Sequence, residues 1–236
     1  GTILNLEPVE AAGEAEEDVA TARLFDAFRN RNSADPLLLG AYPEATAAMF
    51  EPYLKDGDEA LLQPQLDLLG LNLYSRVRVE ADSASLVGLR QLDPPRGSEL
   101  TSTGWEVYPR ALYDQLLQLK ERYGNPPVYV TENGAAFDDR PGPEGRVSDR
   151  RRIRFLARYL QAVSRAIEEG VDVRGYFVWS LLDNFEWAEG YAKRFGLVHV
   201  DYGSQRRTPK ESFEWYAAVV RDNGFRMPAD VPETLH

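Results

Sequence analysis

The sequence predicts an α/β fold of four successive strand–helix units, which is half of an eight-stranded (β/α)8 TIM barrel. Short apolar runs rich in strand-forming residues alternate along the chain with longer segments whose apolar residues recur at helical spacing. Such alternation favours parallel strands joined by right-handed crossovers. Four units account for all 236 residues, whereas a complete barrel of this type needs at least about 250.

Composition limits the classes of function. Hydrophobic content of 43% and charged content of 28% are ordinary for a globular protein, and we expect a single domain over residues 1–236. The net charge of -11 argues against a nucleic-acid partner, because binding of phosphates needs a clustered basic face. No apolar run approaches the roughly 18 residues of a membrane span, so we expect no membrane partner.

Cysteine and histidine usage limits the chemistry further. The chain has no cysteine, which excludes disulfides and thiol catalysis and is compatible with a reducing compartment, so we expect a cytoplasmic location. Only two histidines occur, His199 and His236, and His236 looks like a tail residue. One plausible histidine cannot build a metal site, and no glycine-rich phosphate loop is present. We therefore expect neither a metal nor a cofactor.

The first half of the chain contributes two strands. The first is predicted at 1–6, and because the chain opens in what looks like the interior of a strand, we expect further polypeptide before it in the functional molecule. Acidic residues at 14–18 suit the start of a helix. Residues 35–43 resemble an irregular connection into a short helix near 45–50, and the second strand is predicted at 66–74. Apolar residues of the first helix recur at Val19, Ala22, Phe25 and Phe28.

The second half is more regular. Residues 75–104 are polar and contain turn signals, which predicts an excursion of short strands and loops over one end of the fold. A helix opens at Pro109 and stops at Gly124. After the strand that carries Glu132, a helix capped by Ser148 or Asp149 is expected, with Arg150, Arg151 and Arg152 on its outer surface. The other predicted features are the apolar stripe Ile153, Leu156, Leu160, Val163 and Ile167, a fourth strand at 171–180, a last helix at 209–220 and a tail at 225–236.

The third strand ends in a carboxylate. The apolar run after Pro127 leads to Glu132, and Asn133 and Gly134 follow as turn residues. Parallel α/β barrels keep their chemistry at the C-terminal ends of their strands, which makes Glu132 a candidate catalytic residue. The alternative is a solvated glutamate at a strand end. Tyr74, at the end of the second predicted strand, could donate a hydrogen bond to an ionised Glu132, or it could be an ordinary half-buried tyrosine.

Aromatic residues and carboxylates concentrate after the fourth strand. A hydrophobic core could explain the aromatic residues, but here they alternate with carboxylates and amides beyond the strand's end. A sugar presents apolar C–H faces and hydroxyl edges, so flat aromatic faces beside hydrogen-bond acceptors suit its binding. The cluster comprises Trp179, Phe185, Trp187, Tyr191 and Phe195, with Asp183, Glu186 and Glu189.

Together, the segments 70–74, 127–134 and 176–187 resemble glycoside hydrolase family 1, the retaining β-glycosidases of β-glucosidase type. The resemblance covers residues 1 to about 224 and corresponds to the last four βα units of that barrel. It implies that Glu132, in a Thr-Glu-Asn-Gly motif, is the nucleophile, that Tyr74 contacts this nucleophile, and that Asn72 points into the same pocket. Retaining glycosidases form a covalent glycosyl-enzyme on such a carboxylate.

The resemblance also implies the substrate-binding residues. Glu186 matches a glutamate that grips the 4- and 6-hydroxyls of the non-reducing sugar. Trp179 and Trp187 match tryptophans that line this subsite, with Trp179 as its floor. Trp105 matches an aromatic wall for the leaving group, and Phe195 lies in a Lys-Arg-Phe-Gly-Leu stretch typical of the family.

The resemblance also predicts whether the substrate sugar is phosphorylated. Family members that act on 6-phosphorylated sugars usually carry serine, lysine and tyrosine where this chain has Glu186, Lys193 and Phe195. Two of the three differ, and an ionised Glu186 repels a phosphate. We therefore expect cleavage of terminal, non-phosphorylated β-D-glycosides.

The second catalytic carboxyl is not among these residues. In the family it is the glutamate of an Asn-Glu-Pro motif upstream of everything here, and Glu7, in Asn-Leu-Glu-Pro, does not match it. We therefore expect activity only beside a complementary N-terminal half-barrel, or in a self-associated form. Two alternatives stay open at this point. One is a non-catalytic half-barrel that binds sugars or another small molecule, and the other is a thioglycosidase-like variant.

Overall fold

The computed structural model describes residues 1–231, apart from the side chain of Glu59. The end of the predicted tail, residues 232–236 with His236, lies outside the described residues.

Nine strands and six α-helices make up the described chain. The strands are β1 (Thr2–Asn5), β2 (Val9–Ala11), β3 (Leu69–Asn72), β4 (Val77–Ala81), β5 (Leu89–Gln91), β6 (Val128–Asn133), β7 (Val173–Val178), β8 (Val198–Val200) and β9 (Arg207–Pro209). The helices are α1 (Glu16–Asp26), α2 (Asn32–Leu39), α3 (Glu44–Phe50), α4 (Arg110–Tyr123), α5 (Arg150–Glu168) and α6 (Glu211–Asp222).

The central sheet confirms the predicted half-barrel. Its four strands run in the order β1-β3-β6-β7, and every neighbouring pair is parallel. Parallel neighbours need a crossover, and helical segments supply one between each pair. The carboxyl ends of all four strands therefore lie at one edge of the sheet. Glu132 is near the end of β6 at this edge, and Trp179 directly follows β7.

The two faces of the sheet differ in burial. Alternate strand residues such as Leu4, Leu71 and Val130 pack with the helices α4 and α5 in the main core. On the strands at the two ends of the sheet, Ile3 and Phe177 are 59% and 56% exposed. Within the described residues, β1 pairs only with β3 and β7 only with β6. Unpaired edges and exposed apolar side chains are what half of a barrel is expected to have.

The polar excursion forms a second sheet. Strand β4 pairs in parallel with β2 and antiparallel with β5. Helix α1 covers this sheet through Ala22, which clusters with Val77 and Val79. The predicted short strands are thus present, and they stand beyond the carboxyl ends of β1 and β3.

One predicted connection is wrong. Residues 32–39 form helix α2 with Pro36 inside it, rather than an irregular segment. Proline inside a helix costs about 3 kcal/mol, so a tertiary interaction must offset it. The Asp35 carboxylate is buried and accepts hydrogen bonds from Arg122 at 2.8 Å and from the Tyr123 hydroxyl at 2.6 Å, both at the end of α4. These hydrogen bonds stabilise the helical conformation around Pro36, although the local sequence disfavours a helix there.

The predicted faces of α5 also need correction. Arg152 is 0% exposed instead of lying on the outer surface, and Ile167 is 48% exposed instead of belonging to the apolar stripe. The buried face of α5 is shifted by one residue toward the N-terminus from the predicted stripe and is centred on Phe155, Leu156 and Tyr159. Arg152 can be buried in the core because the carboxylates of Asp139 and Asp149 form ion pairs with its guanidinium.

Candidate active site

Glu132 stands at the carboxyl end of β6, beside Tyr74. The Tyr74 hydroxyl donates a hydrogen bond of 2.8 Å to Oε2 of Glu132. Burial raises the pKa of Tyr74 far above its ordinary value, and the hydrogen bond to Glu132 raises it further. The Tyr74 hydroxyl is thus positioned as a hydrogen-bond donor to Glu132.

Polar side chains tie the ends of β3, β6 and β7 together. The Thr131 hydroxyl donates to Oδ1 of Asn72 at 2.7 Å. The buried Asn133 amide donates to the carbonyl of Leu73 at 2.8 Å and accepts from the Tyr176 hydroxyl at 2.5 Å. These bonds fix where β6 delivers Glu132. Sequence reasoning read Asn133 as a turn residue and missed this role.

Gly134 allows a close approach between the segments that follow β6 and β7. A Cβ atom on Gly134 would collide with the carbonyl oxygen of Trp179, and the peptide between Trp179 and Ser180 is cis. The absence of a side chain at Gly134 thus lets the segment after β7 pack directly against the segment that carries Glu132.

Three aromatic rings meet beside Glu132. The ring of Trp105 lies 5.2 Å from that of Tyr74 and 5.9 Å from that of Phe195. Trp105 is 41% exposed, whereas Phe195 is only 2% exposed. Phe195 therefore supports the other two rings from behind, and its assignment as a direct substrate contact stays a prediction.

Trp179 and Glu186 form a second pair. Nε1 of Trp179 donates a hydrogen bond of 3.1 Å to Oε1 of Glu186. Burial raises the pKa of Glu186, and the negative charge of Glu132 raises it further, although the bond from Trp179 acts in the opposite direction. The two carboxyl groups are thus close enough to interact electrostatically.

Trp187 stands apart from this group. Its side chain is 86% exposed, its backbone is left-handed with φ of 46°, and among the described residues it makes no ring contact or side-chain hydrogen bond. The chain thus brings Asn72, Tyr74, Trp105, Glu132, Trp179, Glu186 and Phe195 together and leaves Trp187 exposed next to Glu186.

Asp139, Arg152, Asp183 and Lys210 form a buried ion cluster. Nζ of Lys210 contacts Asp139 at 2.7 Å and Asp183 at 3.0 Å, and Arg152 contacts Asp139 at 2.6 Å. Each member is at most 5% exposed. Burial lowers the pKa of Lys210 from its ordinary value, and the two carboxylates partly offset this.

This buried ion cluster joins the segments that carry the candidate residues. Arg152 donates to the carbonyl of Ala135, just after β6. Asp183 accepts from Arg194 at 2.6 Å and from the backbone N–H of Gly196 at 3.0 Å. The buried ion cluster therefore connects the segments after β6 and β7. Sequence reasoning missed Arg152 and Lys210 because Asp139, the partner they share, lies 13 and 71 positions away from them.

No group of three or more histidine, aspartate or glutamate residues in the described chain is arranged to hold a metal ion. Within residues 1–231, no helix is both long and apolar enough to cross a bilayer.

A carboxylate at the carboxyl end of a parallel strand, bordered by aromatic rings, lies where enzymes of the α/β-barrel class keep their active sites. The family model for "Glycosyl hydrolase family 1" matches residues 1–225. The chain belongs to glycosyl hydrolase family 1, which confirms the resemblance of its motifs.

Similar curated proteins and solved structures support this family assignment. Over 230 residues the chain is 44% identical to β-glucosidase A of Thermotoga maritima, covering 95% of this chain and 51% of that protein. It is 42% identical to a bifunctional β-D-glucosidase/β-D-fucosidase of Bifidobacterium breve, over 89% of this chain and 50% of that protein. The solved Thermotoga maritima β-glucosidase in complex with deoxynojirimycin superposes with a TM-score of 0.88 at 43% identity, over 95% of this chain and 51% of that one. The chain spans about half the length of the curated relatives it matches.

Proposed function

We propose that this chain is the C-terminal half-barrel of a β-glucosidase-type retaining glycoside hydrolase, with Glu132 as its nucleophile. The hydrogen bond between Tyr74 and Glu132 carries the proposal, because it fixes a carboxylate at the catalytic end of the barrel beside exposed aromatic surface. A carboxylate attacks in its ionised form, and the Tyr74 hydroxyl holds one oxygen of Glu132 in place through a hydrogen bond of 2.8 Å.

The reaction proceeds by two displacements. An oxygen of Glu132 bonds to the anomeric carbon while the bond from that carbon to the leaving-group oxygen breaks. The leaving group takes a proton from a carboxylic acid that the N-terminal half supplies. The same residue then removes a proton from water, the water oxygen attacks the anomeric carbon, and the ester to Glu132 breaks with retention of configuration.

The substrates are small β-glycosides with a terminal, non-phosphorylated sugar. In this proposal the sugar lies over Trp179 with Trp187 beside it, and Glu186 accepts hydrogen bonds from its hydroxyl groups. The pair formed by Trp179 and Glu186 supports this, since it presents an aromatic surface next to an acceptor. The curated relatives named as β-glucosidases agree with it. A cytoplasmic location, expected from the cysteine-free composition, stays a prediction.

Activity requires the other half of the barrel. The unpaired edges of β1 and β7 and the exposed side chains of Ile3 and Phe177 support an N-terminal half-barrel as the partner, with self-association as the alternative. Hydrolysis of an aryl β-glucoside should rise from background to saturable turnover when an N-terminal half-barrel is added. Equal activity with and without that half would contradict this requirement.

Replacing Tyr74 with phenylalanine should lower kcat about 10- to 100-fold in the assembled enzyme. The variant loses a hydrogen bond to a charged acceptor, which contributes about 1.5–3 kcal/mol, and every 1.4 kcal/mol is a factor of ten. Steady-state kinetics with an aryl β-glucoside measure the effect. Tyr53→Phe is the control, because Tyr53 is 79% exposed, and its kcat should match that of the unmodified enzyme.

A mechanism-based label tests the proposed function directly. The assembled enzyme is inactivated with a 2-deoxy-2-fluoro-β-glucoside carrying a good leaving group, and peptides are then analysed by mass spectrometry. We expect one added fluoroglucosyl group on the peptide that contains Glu132. A label on any other residue of an active enzyme rejects Glu132 as the nucleophile.

A further inference from the structure

Tyr74, whose hydroxyl contacts Glu132, lies in an irregular segment of the chain. Residues 73–76 connect β3 to β4, and they belong to no strand or helix of the described chain. The strand pairing that holds β3 in place therefore does not extend to Tyr74. A shift of about 1 Å in the geometry of an active site can change the rate by a factor of about 100. The placement of the Tyr74 hydroxyl thus depends on contacts from outside its own segment.

The hydroxyl of Tyr159 supplies such a contact. Tyr159 is on α5 and is 0% exposed, and its hydroxyl donates a hydrogen bond of 2.9 Å to the carbonyl oxygen of Tyr74. The same hydroxyl accepts a bond of 3.1 Å from the backbone N–H of Tyr108. A carbonyl oxygen can only accept and a backbone N–H can only donate, so the hydroxyl gives its single proton to Tyr74. Tyr159 therefore joins the segment 73–76 to the segment before α4.

Two further contacts limit movement where these segments meet. The ring of Tyr159 stacks on that of Phe155 in the main core, with 4.2 Å between the ring centroids. The Ser75 hydroxyl donates a hydrogen bond of 2.9 Å to the carbonyl oxygen of Glu106, and Ser75 is only 5% exposed. The two segments are therefore joined twice, once through Tyr159 and once through Ser75.

We propose that Tyr159 is a positioning residue for catalysis, which holds the backbone of Tyr74 and thereby sets where the Tyr74 hydroxyl meets Glu132. Tyr159 is completely buried, so it does not touch the substrate, and its effect on kcat depends on Tyr74. This inference rests on the proposed function, because it assumes that Glu132 attacks the substrate.

The test removes the hydroxyl of Tyr159 and keeps its ring. Tyr159→Phe retains the aromatic stacking on Phe155, so the assembled enzyme should still fold. We expect kcat for an aryl β-glucoside to fall about 3- to 10-fold, which is less than for Tyr74→Phe, because the Tyr74 hydroxyl is displaced rather than deleted. KM should change by less than about twofold, since no substrate contact is lost. Tyr113→Phe is the matched control, because the Tyr113 hydroxyl also bonds α4 to the end of α5, through Glu169, and its kcat should match that of the unmodified enzyme.

A double variant separates positioning from stability. In the Tyr74→Phe background, Tyr159→Phe should lower kcat by less than about a further factor of two, because the hydroxyl that it positions is already absent. A general loosening of the fold would instead lower kcat by the same factor in both backgrounds. Ser75→Ala removes the second bond between the same segments and leaves α5 unchanged. It should lower kcat about two- to fivefold, the effect of one neutral hydrogen bond, and this loss should also disappear in the Tyr74→Phe background.

Three outcomes overturn the inference. An unchanged kcat in folded Tyr159→Phe means that the hydroxyl does not position Tyr74. An equal loss in both backgrounds assigns the hydroxyl to stability. If Tyr159→Phe does not fold, Ser75→Ala decides, and an unchanged kcat in that variant rejects the positioning role. Failure of the proposed function looks different, since the unmodified assembled enzyme would then hydrolyse no aryl β-glucoside or would carry the fluoroglucosyl label away from Glu132.

Discussion

Glu132→Gln should lower kcat of the assembled enzyme at least about 10⁴-fold, because removal of a nucleophile costs factors of this size even when binding is intact. The amide has nearly the shape of the carboxylate, but it cannot form the glycosyl-enzyme. The fold should survive, since Glu132 lies at a strand end and its side chain contacts Tyr74 rather than the main core. Steady-state kinetics and the unfolding midpoint, measured side by side, separate loss of chemistry from loss of structure.

A second variant at Glu132 makes the test more specific. Glu132→Gly opens space for azide, which can attack the anomeric carbon in place of the carboxylate. One displacement inverts the configuration, so the expected product from a β-glucoside with a good leaving group is the α-glycosyl azide. Glu121→Gln is the control, because Glu121 is exposed on α4, and it should retain full activity. Retention of turnover in Glu132→Gln, or a β-glycosyl azide from Glu132→Gly, would contradict the assignment.

Lys210→Met should lower the free energy of unfolding by about 3–5 kcal/mol, the usual cost of removing one partner from a buried ion pair. Lys210 is 0% exposed and contacts both Asp139 and Asp183, so its loss leaves two buried carboxylates with less positive charge around them. Denaturant unfolding with a shared m-value measures the loss. Lys55→Met, at an exposed lysine, should change stability by less than about 0.5 kcal/mol.

A double-mutant cycle distinguishes this cause from poor packing of methionine. Asp183→Asn removes one of the uncompensated charges, so the double variant should lose less stability than the sum of the two single losses, by about 0.5–3 kcal/mol. Strict additivity would show that Lys210 and Asp183 do not act as a pair. Because the buried ion cluster joins the segments after β6 and β7, we also expect KM for the aryl β-glucoside to rise in Lys210→Met.

The regular elements were predictable because their signals are local. The apolar run of β6 and the helical spacing of α4, which ends at Gly124, are properties of adjacent residues, and both elements were placed within two residues. Helix α2 was missed for the opposite reason. Its proline argued against a helix, and the bonds from Arg122 and Tyr123 to Asp35 that stabilise it come from 87 and 88 positions away.

The triplet at the start of α5 shows the same limit. Arg150, Arg151 and Arg152 have the same side chain, yet the first two are exposed and the third is completely buried. Rotation of the helix by about 100° per residue decides which of them turns inward, and this rotation depends on what α5 packs against. Asp139 and Asp149 supply the charges that make the buried position possible.

By itself, the sequence determined the parallel half-barrel, the family, and the placement of Glu132 at the end of its strand, because periodicity, turn residues and short motifs are local properties. Only the tertiary structure decided which side chains meet there. It brought Tyr74 to Glu132 across 58 positions, buried Phe195 behind Trp105, and assembled a buried ion cluster from four distant segments. Such contacts depend on distances in space, and a linear pattern of residues does not contain them.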